Sequence, residues 1–216
     1  MKETQKLPAA FILASASPRR LEILRTLGLD PEILVPDTDE DCDRTAIAPE
    51  LLVEGLACRK ARAARDALTL CGRAEEDCLI LAADTVVVLG DRILEKPRDA
   101  ADARQMLRAL SQNTHRVCTG VAVFCRGKLV MNSESTEVRF RSLTEEEIEA
   151  YVASGEPMGK AGSYAIQMRG ALFVEGINGD YFNVVGLPAV CVDKLLSENY
   201  GFGLASFAKD ADRAFK

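Results

Sequence analysis

Several chemical signatures are missing from this sequence, and each absence excludes a class of protein. The chain of 216 residues has one histidine, His115, and no pair of cysteines with C-x-x-C spacing. A structural zinc site or a thioredoxin-like redox motif is therefore not expected. Neither G-x-x-x-x-G-K-S/T nor G-x-G-x-x-G occurs, so the sequence has no P-loop and no Rossmann fingerprint.

The chain also lacks a long apolar segment. Near the N terminus the apolar run covers only residues 7–13 and carries no cleavage-like site, so we expect neither a secretory signal nor a transmembrane span. Seven cysteines, an odd number, fit a reducing compartment in which most thiols serve as small buried apolar groups. These features predict a cytoplasmic protein.

An excess of positive charge is absent as well. The formal net charge is −6 at pH 7, which argues against sequence-independent binding to nucleic acid or to acidic membranes. Hydrophobic residues make up 48% and charged residues 28% of the chain, a balance typical of a soluble globular protein with a sizeable core. Since there are no internal repeats, residues 1–200 are predicted to form a single domain, followed by a loose tail at 201–216.

The hydrophobic patterns that are present alternate between strands and helices, with hairpins interrupting the series. This order predicts an α/β or α+β fold built on a mixed sheet. Predicted helices begin at Pro18 and span residues 49–70, 100–110 and 188–199, and a T-x-x-E capping box at 144–147 opens another. Predicted strands span residues 9–14, 79–89, 117–124, 129–140, 164–167 and 171–175.

The segment Ser15-Ala16-Ser17-Pro18-Arg19-Arg20 is the most informative one. It follows an apolar run and precedes a helical pattern, with Ser17 placed to cap the helix and Pro18 at its first position. Arg19 and Arg20 in the first turn oppose the helix dipole, each at a cost of about 0.3–1 kcal/mol. A bound anion would offset that cost and use the free N–H groups. The alternative is two solvated arginines on a surface helix.

Asp84 interrupts an otherwise apolar strand, where a carboxylate is costly to bury unless it is paired or bound to a metal. It is therefore a candidate catalytic residue, and a loop-capping role is the alternative. Lys60 shares a helix face with Leu52 and Leu56, so its ammonium either reaches water or meets an anion at the edge of a cleft. Lys96 stands in a short loop and by itself indicates nothing.

The acidic stretch at residues 37–45 is predicted to be a loop, and such stretches are usually solvated. Its Asp39 and Glu40 could nevertheless join Asp84 as oxygen ligands to Mg²⁺. Cations and a metal neutralise charge on phosphate oxygens while a carboxylate activates water, so these residues together suit a polyphosphate substrate. The set comprises Arg19, Arg20, Lys60, Lys96, Asp39, Glu40 and Asp84.

From residue 11 to about residue 196 the chain resembles the Maf family of nucleoside triphosphate pyrophosphatases. The order and spacing of several short motifs carry the resemblance. They include Leu13-Ala14-Ser15-Ala16-Ser17-Pro18-Arg19-Arg20, Asp39-Glu40, Lys60-Ala61, Ala83-Asp84-Thr85-Val86-Val87, Glu95-Lys96-Pro97, Gly155-Glu156-Pro157, Lys160-Ala161-Gly162, Tyr164-Ala165-Ile166-Gln167 and the run from Gly179 to Pro188. The resemblance implies a two-lobed α/β fold with a long mixed sheet and a cleft between the lobes.

The resemblance also implies hydrolysis of a nucleoside triphosphate to the monophosphate and pyrophosphate with Mg²⁺ or Mn²⁺, and family analogy suggests a homodimer. Asp84 is the implied base, and Arg20, Thr85 and Gln167 are implied to separate subfamilies. Thr85 together with Gln167 is similar to the branch that cleaves dTTP and UTP. Substrate contacts are expected from Ser15, Ser17, Arg19, Arg20, Lys60, Thr85, Lys96 and Gln167.

Three positions depart from the family pattern, namely Gln112, Gly159 and Met168, and Met168 adjoins Gln167. Three alternative functions stay open. They are a pyrophosphatase that prefers 7-methyl-GTP or CTP, a phosphohydrolase that releases orthophosphate, and a non-catalytic nucleotide-sensing regulator of cell division.

Overall fold

Two long antiparallel strands form the centre of the molecule, because residues 78–89 and 114–125 are rich in apolar side chains and largely buried. The computed structural model describes residues 7–38, 47–73 and 77–208. Its strands are β1 (Ala10–Leu13), β2 (Glu32–Ile33), β3 (Cys78–Leu89), β4 (Arg92–Leu94), β5 (Thr114–Cys125), β6 (Lys128–Phe140) and β7 (Val174–Asn178). Its helices are α1 (Pro18–Thr26), α2 (Pro49–Leu70), α3 (Ala100–Leu110), α4 (Glu145–Ala153), α5 (Tyr181–Val185) and α6 (Ala189–Tyr200), with short 3₁₀ segments at Ala161–Ser163, Arg169–Phe173 and Leu204–Phe207.

The strands form one mixed sheet in the order β2-β1-β3-β5-β6-β7, and β4 pairs with the end of β3. β1 runs parallel to β2 and β3, whereas the other pairs are antiparallel. The predicted fold class is confirmed. The predicted helices at 49–70 and 100–110 are confirmed to the residue, and so is the capping box of Thr144 and Glu147.

Helices cover both faces of the sheet and divide it into two halves. On one face α2 packs against the alternate residues Ile80 and Ala82. On the other face α1 and α6 cover the half of β3 near Leu81, while α3 and α4 cover the half near Val87. These halves correspond to the two lobes that the resemblance implies, and a cleft lies between them.

The cleft forms at an open stretch of β3. Along this edge β1 pairs with residues 78–81 and β4 pairs with residues 87–89, so within the described ranges residues 82–86 have no neighbouring strand there. Asp84 and Thr85 lie in this stretch, and both border the cleft. The interruption in strand pairing therefore places the predicted catalytic aspartate at an opening in the sheet.

Gly120 on β5 lies opposite Asp84 in the sheet and lets α2 approach the strands closely. A Cβ atom at Gly120 would lie 2.3 Å from the backbone carbonyl carbon of Val53 on α2, a distance that no side chain tolerates. The close approach brings α2, and with it Lys60, against the strand that carries Asp84.

In the last third of the chain one predicted strand is wrong and another is displaced. Residues 164–167 form an irregular turn, and Tyr164 and Ile166 are buried by packing in the α3–α4 core rather than by strand pairing. The strand predicted at 171–175 begins instead at Val174, after a 3₁₀ helix. The helix α5, which Asp180 caps, was not predicted, because five residues are too few to show a helical period.

The chain after α6 remains packed as far as the structure describes it. Phe202 and Leu204 are buried in the same apolar cluster as α6, and the ring of Phe207 contacts Phe11. The loose tail predicted from residue 201 is therefore wrong for residues 202–207, while residues 209–216 lie outside the described part of the chain. In the described ranges, no helix is long and apolar enough to cross a membrane.

Candidate active site

The cleft has a volume of about 310 Å³ and gathers nine of the predicted site residues. They come from the turn before α1, from α1, α2 and β3, and from two loops. The nine are Ser15, Ser17, Arg19, Arg20, Lys60, Asp84, Thr85, Lys96 and Gln167. Asp39 and Glu40, the other two predicted metal ligands, lie outside the described residues.

Asp84 and Lys60 form an ion pair at the wall of the cleft. Lys60 Nζ lies 2.6 Å from Asp84 Oδ1, and the two side chains are only 13% and 14% exposed. The pairing accounts for both unusual positions, since the carboxylate in an apolar strand and the lysine on an apolar helix face neutralise each other. A carboxylate has about four lone-pair sites, so the contact from Lys60 leaves Asp84 able to accept a proton or to coordinate a cation.

The serines before α1 differ from the predicted capping arrangement. Ser17 occupies the N-cap position, but its side chain makes no capping hydrogen bond. Instead, the backbone N–H of Ser17 donates to Ser15 Oγ at 3.1 Å, which fixes the turn between β1 and α1. Because Ser17 does not cap the first-turn N–H groups and this helix end borders the cleft, an anion in the cleft would find donors there.

Two cations, Arg19 and Lys160, border the cleft close to each other. Burial lowers the pKa of Arg19. Burial, together with the neighbouring charge of Arg19, also lowers the pKa of Lys160. An anion bound beside both groups would favour their charged forms. Lys160 was not among the predicted site residues, because a single lysine in a loop produces no periodic pattern. The sequence signal that could have identified it is the family motif at residues 160–162.

The loops that carry Lys96 and Lys160 are joined by a backbone hydrogen bond. The N–H of Gly162 donates to the carbonyl oxygen of Glu95 at 3.1 Å. Gly162 has a φ of 68°, a left-handed conformation that glycine adopts without strain. The contact places both lysines at the same cleft, so Lys96, which alone indicated nothing, becomes part of a cationic lining.

Arg20 is buried and connects three parts of the chain. Its Nε donates to the carbonyl oxygen of Gly186 at 2.8 Å. Its Nη1 donates to Ser15 Oγ at 2.9 Å, and its Nη2 donates to Thr85 Oγ1 at 3.1 Å. At least three of the five guanidinium donors are thus used within the protein. The alternative of a solvated surface arginine is wrong for Arg20, which links α1 to β3 and to the end of α5.

The hydrogen bonds of Thr85 have a defined direction. Thr119 Oγ1 donates to the carbonyl oxygen of Asn183 at 3.1 Å, so its one hydroxyl hydrogen is used. Thr85 must therefore donate to Thr119 across the 3.0 Å contact between their hydroxyls, while it accepts from Arg20. Toward the cleft, Thr85 can then offer a ligand only an acceptor.

Gln167 borders the cleft on a turn that follows Tyr164. The hydroxyl of Tyr164 lies 2.9 Å from His115 Nε2, and burial lowers the pKa of His115 to about 4, so its imidazole is neutral at pH 7. His115 packs edge-on against Tyr164 and Phe140 and is not one of the described residues that line the cleft. Its role is therefore to support the wall that carries Gln167.

A metal site in the cleft would have to include residues beyond those described. Within the described ranges, Asp84 is the one carboxylate that lines the cleft, and no group of three His, Cys, Asp or Glu side chains could hold a metal ion. Magnesium takes oxygen ligands, so Asp84 would need partners. Thr38, the residue before Asp39 and Glu40, does line the cleft.

The fold and the cleft define a two-lobed α/β protein whose charged side chains gather at the open edge of one strand. Residues 10–199 match the Maf family of Maf-like proteins, and the chain belongs to that family. A dTTP/UTP pyrophosphatase of Moorella thermoacetica is 51% identical over 189 residues, which cover 87% of this chain and 93% of the relative. The dTTP/UTP pyrophosphatase of Bacillus cytotoxicus is 47% identical over 82% of this chain and 89% of its own length. That of Bacillus thuringiensis subsp. konkukian is 46% identical over 90% and 96%.

We expect Arg20→Ala to destabilise the protein and to weaken catalysis at the same time. The substitution removes the Arg20 donors to the Gly186 carbonyl oxygen and to Thr85 Oγ1, and it removes one of the two donors to Ser15 Oγ; an unsatisfied buried group costs about 1–3 kcal/mol. The free energy of unfolding, measured with urea, should fall by about 2–4 kcal/mol, with a raised KM and a lowered kcat. Arg20→Lys should recover only part of the loss, because one ammonium cannot replace a forked guanidinium.

Arg25→Ala is the matched control for Arg20, because Arg25 lies on the same helix in an exposed ion pair with Asp30. Its free energy of unfolding should stay within about 0.5 kcal/mol of the wild type. If Arg20→Ala matched the wild type in both stability and kinetics, the connecting role of Arg20 would be wrong.

Proposed function

We propose that this protein is a nucleoside triphosphate pyrophosphatase that hydrolyses dTTP and UTP to the monophosphate and pyrophosphate. The observation that carries the proposal is the Lys60–Asp84 pair within a cleft lined by further cations. A carboxylate beside bound phosphates can accept a proton from an attacking water, whereas a pure binding site needs no such group. The relatives support the same substrates, since three dTTP/UTP pyrophosphatases are 46–51% identical to this chain.

The cationic lining would bind the triphosphate. Arg19, Lys96 and Lys160 border the same cleft as Asp84, and the start of α1 adds backbone N–H donors. These fixed charges would neutralise the negative charge that develops on phosphate oxygens as a phosphorus–oxygen bond breaks. Because they bind the ground state as well, their loss should affect both KM and kcat.

The reaction would begin with attack of water on the α-phosphorus. Asp84 accepts a proton from the water as the water oxygen bonds to phosphorus. The bond from the α-phosphorus to the bridging oxygen breaks, and pyrophosphate leaves with that oxygen and its electron pair. Lys60 holds the Asp84 carboxylate in place, so the base does not have to reorganise during the step.

The residues suit a divalent cation when Asp39 and Glu40 act together with Asp84, because carboxylates supply the hard oxygen ligands that Mg²⁺ and Mn²⁺ prefer. When bound, the ion would supply additional neutralisation of charge on the phosphate oxygens.

The base would be recognised by Gln167 together with Thr85. An amide can pair with the O4 and N3–H of thymine or uracil, but a flipped amide pairs equally well with cytosine. The fixed acceptor of Thr85 removes this ambiguity, because it accepts from a donor, either the N3–H of the base or the amide of Gln167. Pairing with thymine or uracil is thereby favoured over pairing with cytosine.

Gln167→Leu should reduce base discrimination more than it reduces the best rate. A buried polar group left unpaired with the wrong base costs about 1–3 kcal/mol, so the ratio of kcat/KM for dTTP over GTP should fall by roughly 5- to 150-fold. The control is Gln105→Leu, an exposed glutamine on α3. If Gln167→Leu keeps the wild-type ratio of kcat/KM for dTTP over GTP, Gln167 does not recognise the base.

The proposed function is tested by assaying pyrophosphate and orthophosphate separately from dTTP, UTP, CTP, GTP, 7-methyl-GTP and ATP. We expect pyrophosphate, with dTTP and UTP cleaved best. Orthophosphate as the product would indicate a different phosphohydrolase, and nucleotide binding without turnover would indicate a sensor. A clear preference for 7-methyl-GTP or CTP would overturn the substrate assignment. Met168, which departs from the family pattern beside Gln167, would then be the first residue to test by substitution.

A further inference from the structure

A buried carboxylate, Glu156, lies outside the cleft lining and is surrounded by neutral donors. The residue, which follows α4 in the Gly155-Glu156-Pro157 turn, is 9% exposed. Oε1 accepts from the hydroxyl of Tyr151 at 2.8 Å and from the N–H of Gly170 at 3.1 Å. Oε2 accepts from the N–H of Arg169 at 3.3 Å. A carboxylate has only acceptors, so it can serve all three donors at once.

These contacts hold one end of the segment that carries Gln167. We call residues 165–170 the Gln167 loop. At its far end Glu156 binds the N–H groups of Arg169 and Gly170, and at its near end Tyr151 Oη accepts from the N–H of Ala165 at 3.2 Å. Tyr151 donates its own hydrogen to Glu156, so one chain of hydrogen bonds links both ends of the loop.

The ends of the Gln167 loop also touch each other. A Cβ atom at Gly170 would lie 2.7 Å from the carbonyl oxygen of Ala165 and 2.9 Å from the hydroxyl of Tyr151. A loop closed this tightly holds its middle residue, Gln167, where Glu156 and Tyr151 place its ends. The same turn also anchors a cleft lysine, since Lys160 Nζ donates to the carbonyl oxygen of Glu156 at 2.6 Å.

We infer that Glu156, acting with Tyr151, is a positioning residue that determines base discrimination by fixing the Gln167 loop. The inference rests on the proposed function, because Gln167 is the residue proposed to pair with the base. Glu156 itself is not among the described residues that line the cleft, so it acts on the nucleotide only through this loop.

Glu156→Gln and Tyr151→Phe are the direct tests. The amide of Glu156→Gln must turn an NH₂ group toward a backbone N–H or toward Tyr151, and Tyr151→Phe releases the N–H of Ala165. For each variant we expect the ratio of kcat/KM for dTTP over GTP to fall by about five- to tenfold. The kcat for dTTP should fall less than the ratio does.

A double-mutant cycle separates positioning from general support. If Glu156 acts through Gln167, then Glu156→Gln should lower the ratio in the wild-type background and leave it unchanged in the Gln167→Leu background. A residue that only supports the fold would lower activity on every substrate alike, in both backgrounds. That result would overturn the inference.

The matched control is Glu147→Gln. Glu147 lies on α4, the helix that precedes Glu156, and accepts three hydrogen bonds, from Arg141 Nη1 and Nη2 and from the N–H of Thr144, away from the cleft. Its substitution should lower the melting temperature without changing the dTTP/GTP ratio. If Glu156→Gln is unfolded at the assay temperature, Tyr151→Phe, which retains the ring, provides the same comparison.

The wild-type measurement distinguishes the two proposals. A wild-type enzyme with no preference for dTTP over GTP would overturn the proposed function and this inference together. A wild-type preference that Gln167→Leu removes, but that folded Glu156→Gln and Tyr151→Phe both retain, would leave the proposed function intact and overturn the positioning role alone.

Discussion

Asp84→Asn should lower kcat by about 10²- to 10⁴-fold, because the amide keeps the shape of the carboxylate but cannot accept a proton at neutral pH. Pyrophosphate release from dTTP, measured at saturating nucleotide and Mg²⁺, is the readout. Substrate binding should persist, since Arg19, Lys96 and Lys160 remain in place. The loss should therefore appear in kcat rather than in KM.

The control for this substitution is Asp102→Asn. Asp102 is also an ion-paired aspartate with a side chain 14% exposed, but it pairs with Arg98 at α3, outside the cleft. Its kcat should equal that of the wild type. If Asp84→Asn kept more than about a tenth of the wild-type kcat, Asp84 would not be the base.

The parts of the fold and site that could be predicted carry their signals locally. α2 and α3 show a helical period over many residues, so their bounds were predicted to the residue. Asp84 stands out because β3 is otherwise largely apolar, and a lone carboxylate there needs a partner. The sequence did not identify Lys60 as that partner, because the two residues meet only when α2 packs on the sheet at Gly120.

The parts that could not be predicted depend on contacts between distant residues. Arg20 was predicted to bind phosphate from its place in the first turn of α1, and no local pattern indicates its hydrogen bond to the carbonyl oxygen of Gly186, 166 residues away. The stretch at 164–167 has the composition of a strand, yet the N–H of Ala165 donates to Tyr151 and the N–H of Gly170 donates to Glu156, so the segment that begins there is held as a closed loop. Neither arrangement leaves a periodic pattern in the sequence.

Removal of the metal should abolish turnover and its return should restore it. The described cleft residues include five cations and one carboxylate, and Asp39 and Glu40 would add two more negative charges. If Asp39 and Glu40 act at the cleft with Asp84 as proposed, the three carboxylates would repel a triphosphate unless a divalent cation lies between them. In excess EDTA, pyrophosphate release from dTTP should therefore stop, and added Mg²⁺ or Mn²⁺ should recover it. EDTA saturated with Mg²⁺ beforehand is the control.

A Mg²⁺ titration then separates the two roles proposed for Asp84. As a ligand, Asp84 contributes negative charge to the ion, so Asp84→Asn should raise the half-saturating Mg²⁺ concentration by about tenfold or more, and Asp39→Asn and Glu40→Gln should do the same. If Asp84 acted as a base alone, Asp84→Asn would lower kcat without changing the half-saturating Mg²⁺ concentration.

We expect both effects in Asp84→Asn. In Asp39→Asn and Glu40→Gln we expect only a raised half-saturating Mg²⁺ concentration, with kcat recovered at high Mg²⁺. Full turnover of the wild type in excess EDTA would contradict the metal requirement, and an unchanged half-saturating Mg²⁺ concentration in all three variants would remove these carboxylates from the metal site.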